Sequence, residues 1–140
     1  MLRCRAIQFT VNETTRGVVA RGCPQGGVLS PLLWNIVIDE LITLLNDRKF
    51  LTVGYADDLT ILISGPSESV VCDRMRAALI VVEQWCTDHD LTVNPAKTEL
   101  VMFTNKRNLG NLKLPKLFGT GLALTREVKY LGVILDSKLL

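Results

Sequence analysis

Histidine is almost absent from the chain: His89 is the only one. The four cysteines, Cys4, Cys23, Cys72 and Cys86, include no C-x-x-C pair. Structural zinc takes Cys and His ligands at short, fixed spacings, so a zinc centre has no ready ligand set. Cys72 and Cys86 fall on one predicted helix, about 21 Å apart at the standard rise and far beyond disulfide reach. These thiols read as small buried hydrophobes of a reducing compartment. Also missing is any run of about 18 uncharged apolar residues, so no segment is suited to spanning a bilayer. The start, MLRCRAIQFTV, lacks the apolar stretch of a secretory signal. The expected setting is intracellular, with no membrane partner. Internal repeats and low-complexity tracts are lacking as well.

What the chain does have is apolar content. Of its 140 residues 48% are hydrophobic, enough for one domain with a proper core. The formal charge is only +2, but it is unevenly spread. Residues 1–22 sum to +3, residues 23–99 to −6 and residues 100–140 to +5. Basic flanks around an acidic centre suit a polyanion held beside a cation, although a solvated charged surface gives the same asymmetry.

Residues 5–11 and 15–21 flank Asn12-Glu13-Thr14 and predict a hairpin. The breaker-rich loop GCPQGG follows at 22–27. Ser30-Pro31 predicts a helix start, Ser at the N-cap and Pro at the first helical position. From Leu32 to about Asn46 a narrow polar stripe, Asn35, Asp39 and Thr43, is surrounded by apolar residues, which predicts a helix buried on nearly all sides. Two short apolar runs, 51–55 and 59–63, enclose Ala56-Asp57-Asp58. An amphipathic helix is expected from about Ser67 to His89, with Val71, Met75, Ala78, Val82 and Trp85 on its core stripe. Asn94-Pro95 makes a turn, Glu99–Thr104 is a strand candidate, and residues 128–136 look extended beyond a polar connection.

From residue 30 the order is helix, strand, strand, helix, strand. That order matches the α+β ferredoxin-like unit without its first strand, in which two helices cover one face of an antiparallel sheet. The chain is therefore expected to be incomplete on its N-terminal side. The mean hydropathy of +0.27 fits uncovered apolar surface, though compact cores give similar values.

Asp57 and Asp58 raise the chemical question. Asp is a poor strand former and adjacent carboxylates repel, so a simple turn would favour Asn-Gly or Asp-Gly. Paired carboxylates at a hairpin tip suit Mg²⁺, which takes oxygen ligands and one or two protein carboxylates plus substrate phosphates. Two-metal phosphoryl transfer holds its ions about 4 Å apart. Neighbouring side chains on a strand point to opposite faces, so both acids reach one ion only if the chain bends between them. A solvent-facing turn with incidental acids is the bland alternative for this stretch alone.

The stretch has company. GCPQGGVLSPLLWN at 22–35, YADD at 55–58, LTVNPAKTELVMF at 91–103 and VKYLGVILD at 128–136 resemble, in order and spacing, the motif series of reverse transcriptases. The likeness is greatest to those of non-LTR (LINE-type) retrotransposons, and it covers nearly the whole chain. It implies a partial reverse transcriptase domain over 1–140: a polymerase palm, a template-contacting loop at 22–27 and a primer-grip-like hairpin near 128–136. Its implied partners are an RNA template, a DNA primer and deoxynucleoside triphosphates. Its implied cofactor is Mg²⁺, two ions in the complete enzyme, with Mn²⁺ as a substitute. A full-length element would work in cytoplasm and nucleus.

Carried over residue by residue, the resemblance makes Asp57 and Asp58 metal ligands and places Tyr55 near the primer end. Gly22, Pro24, Gln25 and Gly26 contact template and incoming nucleotide, and the N–H groups beside the helix start suit phosphate. Lys97 lies near the triphosphate and protonates the leaving pyrophosphate. Lys129, Tyr130, Leu131 and Gly132 grip the primer backbone. Taken singly, the same residues read as a core aromatic, a helix-entry turn, a solvated lysine and an edge strand.

The chain also departs from the family pattern. The motif with the first catalytic aspartate is absent, in keeping with the missing strand, as are the fingers residues that bind triphosphate, the thumb and any endonuclease. Asp90 stands where many relatives have Gly, at a position expected to be left-handed. The isolated chain is therefore expected to be inactive. A non-catalytic remnant that grips nucleic acid is the alternative, and a nucleotide cyclase or another polymerase on the same palm unit accounts for the acids but not for GCPQGGVLSP or VKYLG.

Overall fold

The computed structural model describes residues 5–11, 13–19, 26–104 and 110–138, with the first two stretches described as backbone only. Among them the chain is a mixed α/β structure of two helices and small two-stranded sheets. β1 (Arg5–Val11) and β2 (Glu13–Val19) pair antiparallel with Val11 opposite Glu13, so the hairpin is tighter than the predicted one and its second arm starts two residues earlier.

α1 runs Ser30–Asp47. Ser30 is its first residue and not its cap. A turn closed by the Ser30 N–H on the Gly27 carbonyl at 3.1 Å delivers a chain that is already wound, and Leu29 at the N-cap has helical dihedrals. Pro31 sits in the first turn, where its missing N–H costs nothing. The helix ends in a Schellman motif: Phe50 N–H bonds the Leu45 carbonyl at 3.0 Å, Lys49 N–H bonds the Asn46 carbonyl at 2.9 Å, and Lys49 takes a φ of 64°. Phe50 and Leu45 are both core residues, which supplies the motif's apolar contact.

The expected all-round burial of α1 is not observed. Leu41 and Leu45 are buried, whereas Leu32 and Ile36 are 58% and 63% exposed. The C-terminal half packs on α2 and β3, and no described element covers the outer face of the N-terminal half.

β3 (Leu51–Tyr55) and β4 (Asp58–Leu62) form the next hairpin. Asn46 fastens its start to α1 by acting as a substitute strand: its Oδ1 accepts from Thr52 N–H at 2.9 Å and its Nδ2 donates to Thr52 O at 3.2 Å. Arg74 fastens both base ends at once, donating to Ser64 O at 2.6 Å and Lys49 O at 3.0 Å.

α2 spans Glu68–Asp88, with Ser67 Oγ accepting from Val70 N–H as its N-cap. The predicted stripe holds for Ala78, Val82 and Trp85, which are buried, while Val71 and Met75 are half-buried. With Leu41, Leu45, Phe50 and Cys86, these three make the main core. Full burial of each leucine stabilises by about 2–3 kcal/mol. The helix ends in a second Schellman motif, with Leu91 N–H on Cys86 O at 2.8 Å and Asp90 at φ 53°, the left-handed geometry expected there. His89 stacks on Trp85 with ring centroids 4.3 Å apart, and its Nε2 lies 3.1 Å from Glu40 Oε2.

After a 3₁₀ turn at Pro95–Lys97, the predicted strand over 99–104 reduces to β5 (Leu100–Val101), because Thr104 N–H turns away to Ser137 O at 3.0 Å. The stretch read as a polar connection carries β6 (Lys116–Leu117), β7 (Thr120–Gly121) and β8 (Leu124–Thr125). Leu117 and Leu122 join Leu79 of α2 in a second core cluster, and β8 pairs parallel with β5. β9 (Glu127–Tyr130) and β10 (Val133–Asp136) close the described chain as a hairpin.

Candidate active site

The β3–β4 register places Tyr55 opposite Asp58, leaving Ala56 and Asp57 as a two-residue turn. Ala56 has a φ of 51° while Asp57 stays outside the positive region, the φ pattern of a turn that prefers glycine first. An alanine there costs about 1 kcal/mol. One well-aligned hydrogen bond offsets a cost of that size. Such a bond is present: Trp34 Nε1–H donates to the Ala56 carbonyl at 2.7 Å.

The bend of the chain therefore falls across Ala56–Asp57, immediately before Asp58. Asp58 opens β4 on the face it shares with Tyr55, directed away from α1. The opposite face rests on α1, where Gly54 lies so close that an added Cβ would meet Ile42 Cδ1 at 2.8 Å. Asn35, Ile38, Asp39 and Ile42 of α1, with Gly54 and Ala56, line a hollow of about 240 Å³ beneath the turn.

Tyr55, Asp57 and Asp58 are all exposed. Neither carboxylate makes a hydrogen bond or an ion pair with the described residues, so their oxygens remain free for an external ligand. Among the described residues no group of three or more His, Cys, Asp or Glu side chains is placed to hold a metal. The turn thus offers two hard oxygen donors, a set that fits Mg²⁺ when phosphate and water fill the other positions.

The other predicted site residues are scattered. Gly22, Pro24 and Gln25 lie outside the described residues. Gly26 is exposed in a turn with φ 81°, a geometry that suits glycine. Lys97 is exposed at the end of the 3₁₀ turn that Asn94 caps, and no hydrogen bond or ion pair joins it to Asp57 or Asp58. Lys129 and Tyr130 end β9, and Leu131-Gly132 form its turn at φ 48° and 87°. Sequence reasoning assigned Trp34 no role of its own. The available signal was an indole N–H, which needs an acceptor, at the fifth residue of a largely apolar helix.

The profile of the family described as reverse transcriptase (RNA-dependent DNA polymerase) matches residues 1–135, and the chain belongs to that family. Its relatives lie among non-LTR retrotransposons. It is 31% identical over 126 residues, 86% of its length, to the RNA-directed DNA polymerase from mobile element jockey of Drosophila funebris. It is 30% identical over 121 residues, again 86% of its length, to the retrovirus-related Pol polyprotein from type-1 retrotransposable element R1 of Bradysia coprophila. The chain spans 14% and 12% of the lengths of these two relatives. No solved structure shows a significant match.

Proposed function

We propose that this chain is the palm portion of an RNA-directed DNA polymerase that adds deoxynucleotides to a primer 3′ hydroxyl during retrotransposition. The observation that carries the reading is the Ala56–Asp57 turn, which presents two exposed, unengaged carboxylates where the family's metal-binding motif falls. In this reading β3, β4 and the two helices belong to a ferredoxin-like palm, and the third acid comes from polypeptide outside these 140 residues.

Asp57 and Asp58 hold divalent cations, Asp57 as the principal ligand. When bound, Mg²⁺ neutralises the phosphates and stabilises the attacking and leaving oxygens of an in-line displacement. Tyr55, on the face shared with Asp58, packs against the primer end. Gly26, with Gly22, Pro24 and Gln25, contacts template and nucleotide. Lys97 supplies a proton to the departing pyrophosphate, and Lys129, Tyr130, Leu131 and Gly132 hold the primer backbone. The polypeptide containing this chain acts inside the cell, in cytoplasm and nucleus.

The test is primer extension on an RNA template, with the chain alone and with its upstream coding segment restored. The expected result is background extension by the chain alone and Mg²⁺-dependent extension on restoration. Robust extension by the isolated 140 residues contradicts the requirement for an acid from outside.

A further inference from the structure

Trp34 belongs to neither core cluster. Its one described polar contact is the 2.7 Å bond from Nε1 to the Ala56 carbonyl. That carbonyl is part of the planar peptide joining Ala56 to Asp57, so the bond fixes one edge of a plane whose other edge is the Asp57 nitrogen. Ala56 is held at φ 51°, a conformation an L-residue leaves when nothing restrains it. Ile42 against Gly54 sets how closely the hairpin rides on α1, and Trp34 sets how the turn above it is rotated.

We infer that Trp34 is a positioning residue for the acidic turn: its indole N–H holds the Ala56–Asp57 peptide in the orientation that aims the Asp57 carboxylate at a divalent cation. The inference rests on reading Asp57 and Asp58 as metal ligands. Because binding free energies are reciprocal, a cation bound at Asp57 must in turn strengthen the Trp34 bond.

The test uses the 140-residue chain with Mg²⁺ and Mn²⁺ as probes. Saturating Mg²⁺ is expected to slow hydrogen exchange of the Trp34 indole N–H about threefold or more, while that of Trp85 stays unchanged. Mn²⁺ broadens the Trp34 indole resonance, since an ion on Asp57 lies within about 10 Å of it by backbone reach. Trp34→Phe keeps an aromatic ring, though a smaller one, and loses the donor; it is expected to weaken Mn²⁺ binding about fivefold with little change in the unfolding midpoint. Ala56→Gly, which accepts positive φ freely, restores part of that loss in the double variant.

Asp57→Asn in the same titration separates two failures. If it binds Mn²⁺ as the parent chain does, the acids are not ligands and the inference falls with them. If it abolishes binding while Trp34→Phe binds normally and Mg²⁺ leaves the indole exchange unchanged, the positioning role alone is overturned. The exchange measurement on the unaltered chain decides the matter even if Trp34→Phe does not fold.

Discussion

Ile42 and Gly54 meet so closely that one added carbon at position 54 would stand 2.8 Å from Ile42 Cδ1. Because Cδ1 is the free end of a flexible side chain, it can swing aside at some cost. Gly54→Ala is therefore expected to destabilise by about 1 kcal/mol, the low end for overpacking. Ile42→Val removes the opposing carbon and should cancel most of the penalty in the double variant. A urea-unfolding cycle checks the coupling, and additive single effects would refute the contact.

Arg74 ties together the two ends of the β3–β4 hairpin through the Lys49 and Ser64 carbonyls, with its guanidinium 6.0 Å from the centre of the Phe50 ring. Arg74→Ala should cost about 1–2 kcal/mol, reduced from the range for charged donors because the site is partly solvated. Arg74→Lys should recover less than half of that loss, since an ammonium cannot reproduce the two-pronged geometry. Denaturation midpoints of the two variants give the comparison.

Two left-handed residues should differ in what their replacement gains. Leu131 at φ 48° occupies the first place of a turn with two positive φ angles, which favours Asn-Gly. Asp90 at φ 53° tolerates the same region better. Leu131→Asn is expected to stabilise by about 1 kcal/mol, and Asp90→Gly by less than that. Thermal unfolding of both variants tests the ranking.

The acidic hairpin was legible because the two apolar runs and the intervening Asp pair are local patterns. Asp90 was legible only through the family resemblance, which puts Gly in many relatives at the place where the helix end closes with Leu91 N–H on the Cys86 carbonyl. The long strand over 99–104 was not, because Thr104 leaves β5 for Ser137, a partner 33 residues away in sequence. Leu117 and Leu122 escaped notice for a related reason, since a two-residue strand and the residues between such strands have no period to read, and contact with Leu79, Met75 and Leu100 makes them core. Burial of α1 was overestimated because an apolar sequence records what a helix face suits, not whether a described element covers it.

The buried thiols give a pH dependence. Burial pushes Cys86 above the ordinary thiol value, with Glu83 adding to the rise. Burial also raises Cys72, where Arg76 opposes and Asp73 assists. Between the ordinary and the raised value the unfolded chain releases protons that the folded chain keeps, so stability falls as pH rises. In reducing buffer the denaturation midpoint should decline above about pH 8.5, and Cys86→Ala should flatten the decline even while lowering the whole curve. Parallel slopes for the two proteins would contradict this.

The most direct measurement is Mg²⁺-dependent primer extension by the restored polypeptide, compared with its Asp57→Asn variant. Loss of a ligand that helps supply several kcal/mol of charge stabilisation predicts a rate at least about a hundredfold lower. Extension by Asp57→Asn at the rate of the unaltered protein would contradict the account.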